Sequence, residues 1–209
     1  MSVMKKGIKY IIGSIIAGIV IFNSLYFRPL DEKLRDGSKV SFDAKSFVDS
    51  IWTTELLVVY DSATEIATLI DELKINSQST FEQKAQSLGI GNIGYFKVKG
   101  EGTVLSVNEN NVLLQVANKT IEIETEFIFG NAIRDASGLI KVSDYDETSD
   151  FNSISESIND KIRKEVVPDF RAKVKKNDKV SFKGALELNK AHLHLIQPEV
   201  VPVFIQIIQ

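Results

Sequence analysis

The sequence predicts an α+β protein with an N-terminal membrane helix, a small helical subdomain, and an OB-like five-stranded β-barrel with an inserted helix. Residues 10–27 contain no charged side chain, the apolar residues that follow recur at helical spacing, and from Gly91 the apolar period changes to two. We therefore divide the chain into a basic tail and signal-anchor helix (1–28), a linker (29–41), a helical subdomain (42–90) and an OB-like α/β domain (91–209).

The charge is unevenly distributed along the chain. Of 25 Lys and Arg residues, four lie in residues 1–28, which contain none of the 28 acidic residues. The rest of the chain is therefore acidic, which argues against nucleic-acid binding. There is no cysteine, which excludes disulfide scaffolds, thiolate metal sites, thiol nucleophiles and lipid attachment through cysteine.

Residues 10–27 predict a single membrane-spanning helix. A span needs about 20 apolar residues, with about 17 as the lower limit. Lys5, Lys6 and Lys9 predict a cytoplasmic N-terminus, which would place the body in the periplasm or outside the cell. A cleaved signal peptide is one alternative, although Asn23–Tyr26 matches a cleavage site poorly. A buried core helix is another.

The segment from residue 42 to 90 predicts helices. One face of the first helix carries apolar residues at helical spacing, with Asp43 as its N-cap, and Leu56–Tyr60 continues this helix or bends into another. Asp61 or Ser62 is expected to cap the next helix, Ser79 and Glu82 to form a capping box, and Gly89 to end the last helix. The apolar faces are Ala44, Phe47, Val48, Ile51 and Trp52, followed by Ile66, Leu69, Ile70 and Leu73.

The second half predicts strands. A helix with its apolar face at Phe151–Val166 is expected to end before Pro168, which cannot donate a backbone hydrogen bond. Five long strands with a helix between the third and the later pair follow the order of an OB-type barrel, and the apolar C-terminal run is expected to close it. The strands are Tyr95–Val107, Val112–Ala117, Thr120–Phe127, Lys179–Leu188 and His192–Ile207, with a short extra strand at Leu139–Val142 and turns at Asn108–Asn111 and Asn118–Lys119.

Several short motifs stand in a recognisable order. They are Phe42–Ala44 with Phe47–Val48 and Ile51–Trp52, Val98–Gly102, Ala132–Ile140, and more weakly Asp144–Tyr145, Phe151, Asn159 and Val180–Ala185. This pattern resembles a family of predicted periplasmic lipoproteins encoded beside ribose-type sugar ABC transporters. The resemblance implies a helical subdomain with an OB-like domain, and it implies no known activity.

The chain departs from this family in two places. Family members often carry a lipobox cysteine, whereas this chain has none, so we expect the helix to hold it at the membrane. The stretch Asp146–Thr148 stands where the family has an Asn-Gln pair, which puts any role of that pair in doubt.

Arg134 and Asp135 are the best candidate ligand-binding residues. An arginine can grip a carboxylate or a sugar hydroxyl through its planar guanidinium, and the alternative is a buried pair that fixes the loop. Trp52 is a further candidate, for stacking on a sugar ring, although its place on an apolar helix face favours core packing.

Other chemical signals are weak. Lys99–Gly102 lacks the ending of a phosphate loop, so its glycines indicate a bulged barrel strand. The acidic residues from Asp144 to Asp150 lack the glycine and final glutamate of a calcium loop, and Asp150 is expected to cap a helix. His192 and His194 would share one side of a strand, but no third metal ligand is evident. We therefore predict no metal, no cofactor and no catalytic residue.

These observations predict a membrane-anchored extracytoplasmic accessory or binding protein of unknown ligand. From the resemblance, we expect its partners to include components of a sugar ABC transporter, in addition to the cytoplasmic membrane. The alternative is a structural envelope module that binds proteins and no small molecule. A hydrolase is a third hypothesis, although no nucleophile elbow of the form G-x-S-x-G occurs in the sequence.

Overall fold

The structure, a computed structural model, describes Gly13 and residues 42–87 and 91–208. The predicted anchor helix, the linker and the predicted helix stop at Gly89 lie outside these residues, apart from Gly13. Within the described residues, no helix combines the length and the apolar character that a bilayer span requires. Residues Asp43–Gln209 form one compact unit.

A closed five-stranded barrel forms the core of this unit, as the sequence predicts. The strands are β1 Thr64–Glu65, β2 Ile93–Val107, β3 Asn111–Val116, β4 Lys119–Glu124, β5 Lys179–Asn189 and β6 Glu199–Ile208. Strands β2 to β6 are arranged in the order β2-β3-β4-β6-β5, and β5 pairs with β2 to close the barrel. Only β4 and β6 run parallel within it, which gives the OB arrangement.

Strict alternation builds the barrel interior. Phe96 and Val98 of β2 point inward with Phe182 and Leu186 of β5, and all four are buried. Gly184 marks where β5 and β6 approach closely, because a Cβ atom there would lie 2.2 Å from the Val201 carbonyl oxygen. The predicted hairpin turn after Val107 is confirmed by the hydrogen bond from the Asn108 N–H to the Asn111 carbonyl.

Within residues 42–87, four helices precede the long strands. They are α1 Ala44–Ile51, which continues through a π-helical turn Trp52–Leu56 into α2 Leu57–Asp61, then α3 Ile66–Ile75 and α4 Ser77–Lys84. Asp43 caps α1 as predicted, and its carboxylate accepts from the Ser46 N–H at 3.0 Å. Asn76 caps α4, so the capping box predicted at Ser79 is wrong.

The insertion between β4 and β5 differs most from the prediction. It contains α5 Ala132–Ser137, a 3₁₀ turn Val142–Asp144, α6 Thr148–Lys161, a π-helical turn Ile162–Val166 and α7 Val167–Arg171. The predicted strand at Leu139–Val142 is absent, and α6 begins before Asp150, with Glu147 as its N-cap residue.

Pro168 does not end the helical segment, contrary to the prediction. The Val167 N–H donates to the Ile162 carbonyl, five residues back, which widens the preceding turn. Pro168 then falls in the first turn of α7, where a missing N–H costs little. The widened turn therefore accommodates the proline.

The last predicted strand begins too early. β6 starts at Glu199, and residues 193–198 form a loop that the Pro198 carbonyl fastens by accepting from the Glu122 N–H at 3.0 Å. His192 and His194 are therefore exposed loop residues and not strand neighbours.

Candidate functional site

Glu124, the last residue of β4, directs the backbone that follows it away from the barrel. The buried carboxylate of Glu124 accepts from the backbone N–H groups of Thr125, Glu126 and Phe127 at 2.7–2.8 Å. Three amide donors satisfy one carboxylate oxygen strongly, so β4 ends at Glu124 and not at Phe127 as predicted. The loop that follows delivers the chain to α5.

Helix α5 is buried on every residue from Ala132 to Ser137. Gly138, in the left-handed conformation at φ +68°, ends it. The Tyr60 hydroxyl, which is itself buried, donates to the Ile133 carbonyl at 2.9 Å. A short helix so enclosed is a fixed platform for its two charged side chains.

The Arg134 guanidinium donates its hydrogen bonds to acceptors within the protein. Its Nε donates to Asp135 Oδ1 at 2.7 Å and its Nη1 donates to the Phe151 carbonyl at 2.9 Å. Its Cζ lies 3.5 Å from the centroid of the Phe151 ring, and the residue is 1% exposed. These contacts favour the interpretation that Arg134 fixes α5 against α6.

Asp135 is only half paired. Its Oδ1 receives the Arg134 hydrogen bond, whereas its buried Oδ2 has no hydrogen-bond partner among the described residues. Burial raises the pKa of Asp135, and the hydrogen bond from Arg134 opposes the rise. An unsatisfied buried oxygen is costly, so a hydrogen-bond donor that reached this atom would be favoured there.

A cleft of about 390 Å³, here called the Asp135 cleft, opens beside this residue. Its volume is within the range of small-ligand sites. An antiparallel bridge between Gln86 and Tyr95 brings the end of the helical segment to its rim. Its lining residues are Gln86, Ser87, Asp135, Gly138, Ile140, Lys141, Val142 and Ser143.

The cleft combines an acceptor with polar and apolar walls. Tyr95 and Glu187 face each other across β2 and β5. Burial raises the pKa of Tyr95, with further rises from Glu187 and Asp135, and burial followed by Asp135 raises the pKa of Glu187. These raised pKa values disfavour additional negative charge beside Asp135. The acceptor oxygen of Asp135 therefore suits a neutral molecule that donates hydrogen bonds.

Trp52 is not among the residues that line the Asp135 cleft. It is buried at the start of the π-helical turn, and the Lys161 Nζ lies 5.6 Å from its ring centroid. The structure therefore brings Arg134 and Asp135 together at one place and puts Trp52 in the packing of α1 against α6.

Sequence reasoning missed a polar face of α6. Asn152, Ser155, Glu156 and Asn159 of α6 line a second cleft together with Arg163 of the π-helical turn that continues α6. Their offsets of three, four, seven and eleven residues from Asn152 are those of one helix face. The sequence displays this polar periodicity, but the same segment also carries the apolar periodicity that predicts the helix.

The fold and the buried pair on α5 define an OB-fold protein with a helical insertion against the barrel wall. The profile of the family described as "Predicted periplasmic lipoprotein (DUF2291)" matches residues 15–206. The chain belongs to this family. It is therefore an extracytoplasmic, membrane-associated protein, and its barrel has the OB-like fold.

Comparison with solved structures supports the fold. A crystal structure of an OB-fold protein from Thermotoga maritima MSB8, solved at 1.90 Å resolution, aligns with a TM-score of 0.73 and 22% sequence identity. The alignment covers 80% of this chain and 99% of the other. A search of the curated proteins finds no match.

Proposed function

We propose that this protein binds a small hydroxyl-bearing molecule, such as a sugar, in the Asp135 cleft and assists its ABC-type uptake. The single observation that carries the proposal is the half-paired Asp135 carboxylate, whose Oδ2 lacks a partner among the described residues. A ligand hydroxyl that donates to this oxygen would remove the cost of leaving it unsatisfied. The proposed role is binding, without catalysis.

The cleft walls support a ligand with both polar and apolar faces. Gln86 and Ser143 offer an amide and a hydroxyl, while Ile140 and Val142 offer apolar surface. A sugar presents hydroxyl groups at its edge and C–H groups on its face, which matches this mixture. The resemblance to proteins encoded beside sugar transporters adds the uptake role.

The proposal also assigns residues 10–27 as a single-pass anchor with a cytoplasmic N-terminus. Its support is the uncharged run behind three lysines. A phosphatase reporter fused after Gln209 should be active, because the reporter works only outside the cytoplasm. An inactive fusion that is present at normal level would contradict this orientation.

Binding is tested by thermal shift of the purified full-length protein with ribose, glucose and glycerol. A ligand that binds only the folded state raises the melting temperature. We expect a sugar to produce this rise and Asp135→Asn to abolish it, whereas Asp146→Asn, at an exposed position, should preserve it. An equal rise in the Asp135→Asn variant would exclude this cleft.

The uptake role is tested separately in a deletion strain. We expect slower uptake of at least one labelled sugar and recovery with the wild-type gene, but not with the Asp135→Asn gene. Unchanged uptake of every sugar would contradict the transport role, even if binding to the purified protein were found.

The second candidate is a structural envelope module that binds proteins. Phe127 and Phe129 are 59% and 63% exposed although the loop that carries them is firmly held, and exposed aromatic residues are common at interfaces. A double variant, Phe127→Ser with Phe129→Ser, should lose a crosslinked envelope partner under this hypothesis. It should retain a thermal shift induced by ribose, because neither residue lines the Asp135 cleft.

A further inference from the structure

A second cleft, here called the amide cleft, lies between the N-terminal end of α5 and the polar face of α6. Its volume is about 300 Å³. Its lining residues are Phe129, Gly130, Asn131, Asn152, Ser155, Glu156, Asn159 and Arg163. None of these residues is shared with the Asp135 cleft.

Three asparagine side chains supply this cleft with amide groups. The Asn159 Nδ2 donates to the Gly130 carbonyl at 2.8 Å, which fixes the side chain in place. Asn131 is the N-cap residue of α5, but its side chain makes no capping hydrogen bond. Asn152 is exposed on the first turns of α6. Each amide carries both donors and an acceptor, so the wall can pair with either kind of group.

Ser155 adds an unpartnered buried hydroxyl. The residue is 5% exposed, and its Oγ has no hydrogen-bond partner among the described residues. A helical serine ordinarily bonds to the carbonyl four residues back, which here is that of Phe151. That carbonyl already accepts from Arg134 Nη1 and also takes part in the backbone hydrogen bonding of α6. Both of its lone pairs are therefore used, and the Ser155 hydroxyl remains available to a ligand in the cleft.

Phe129 supplies an apolar surface beside these polar groups. Its ring stays 63% exposed, and the Arg163 Cζ lies 5.0 Å from the ring centroid. Arg163 also donates to the Ile128 carbonyl and to Asp160. The same guanidinium therefore holds the loop and the ring in position.

We propose that the amide cleft binds a neutral sugar ring that carries an acetamido group. The planar acetamido group has one N–H donor and one carbonyl acceptor, so it pairs with a side-chain amide through complementary hydrogen bonds. The ring hydroxyls then face Ser155 and Glu156, and the apolar face of the sugar lies near Phe129. No proton or covalent bond needs to be transferred.

This proposal goes beyond the binding role of the Asp135 cleft and does not depend on it. The two clefts lie on different residues, so separate variants can disable each one. Failure of one proposal is therefore distinguishable from failure of the other.

The test is isothermal titration of the full-length Asp135→Asn protein, in which the Asp135 cleft is disabled, with N-acetylglucosamine and with glucose. In glucose a hydroxyl group stands in place of the acetamido group. We expect saturable binding of N-acetylglucosamine and at least tenfold weaker binding of glucose. Ser155→Ala removes one neutral hydrogen bond and should weaken the affinity about fivefold. Asn152→Leu, at an exposed position that tolerates substitution, should weaken it about tenfold.

Ser157→Ala is the matched control, because Ser157 lies on the same helix but lines a different cleft. It should leave the affinity for N-acetylglucosamine unchanged. The proposal is overturned if N-acetylglucosamine does not bind, if glucose binds equally well, or if Ser157→Ala weakens binding as much as Ser155→Ala. Melting curves of each variant confirm that the fold is retained.

Discussion

The barrel and the insertion between β4 and β5 are held together by different interactions. The barrel interior consists of alternating apolar side chains such as Phe96, Val98 and Phe182. The insertion buries a charged pair and a saturated carbonyl, with Arg134 and Asp135 nearly inaccessible to solvent. Apolar packing tolerates many residues of similar volume, whereas a buried charge requires its one partner. The buried pair of the Asp135 cleft therefore stands on a part of the fold that depends on particular residues.

The largest effect is expected from Arg134→Met, which leaves the buried Asp135 without its partner. Breaking a buried ion pair costs about 3–5 kcal/mol in free energy of unfolding. Urea denaturation measures this loss. Lys164→Met is the control, because Lys164 pairs with Asp160 at an exposed site and should cost less than about 1 kcal/mol. Equal losses in the two variants would show that the insertion does not depend on this pair.

The next effect tests the barrel. Gly184→Ala places a methyl group 2.2 Å from the Val201 carbonyl oxygen, where β5 and β6 cannot separate without losing pairing. Overpacking of this kind costs about 1–3 kcal/mol, measured by the same denaturation. Gly91→Ala meets no atom within 4 Å, so it should leave the free energy of unfolding nearly unchanged. A neutral Gly184→Ala would mean that the strands adjust more freely than the register indicates.

A smaller effect is expected where the two regions join. Glu124→Gln preserves the shape of the side chain and removes the charge that three backbone N–H groups share. We expect a loss of about 1–2 kcal/mol, since hydrogen bonds to a charged group are stronger than neutral ones. Faster amide exchange of Thr125, Glu126 and Phe127 should accompany it. Unchanged amide exchange at these positions would show that the Glu124 carboxylate does not hold the loop in place.

The smallest effect is a pH dependence. Burial raises the pKa of Asp135 above its value in the unfolded chain, so the folded state binds a proton more tightly in the window between the two pKa values. Stability contributed by this group is therefore present below that window and declines as the pH rises through it. The free energy of unfolding of Asp135→Asn, expressed relative to that of wild type, should therefore increase as the pH rises from about pH 4. A relative value that decreases with rising pH would show that the hydrogen bond from Arg134 outweighs burial.

The local sequence determined much of the fold. Alternation in residues 93–107 and 179–189 predicts the long barrel strands because one face of each is buried, and the C-terminal run closes the barrel as β6. Asp43 was identifiable as a cap from its position alone. For Arg134 and Asp135 the sequence left two possibilities open, contact with a ligand and a buried pair that fixes the loop.

Tertiary structure decided the remainder, because the deciding partners are remote in sequence. The Phe151 carbonyl, 17 residues from Arg134, accepts a hydrogen bond from the Arg134 guanidinium. The Ser155 hydroxyl therefore lacks the acceptor that lies four residues before it. The hydroxyl of Tyr60, 73 residues from Ile133, fixes α5. Whether a charged side chain serves the fold or a ligand depends on which of its hydrogen bonds distant residues have already satisfied, and no local pattern in the sequence records that.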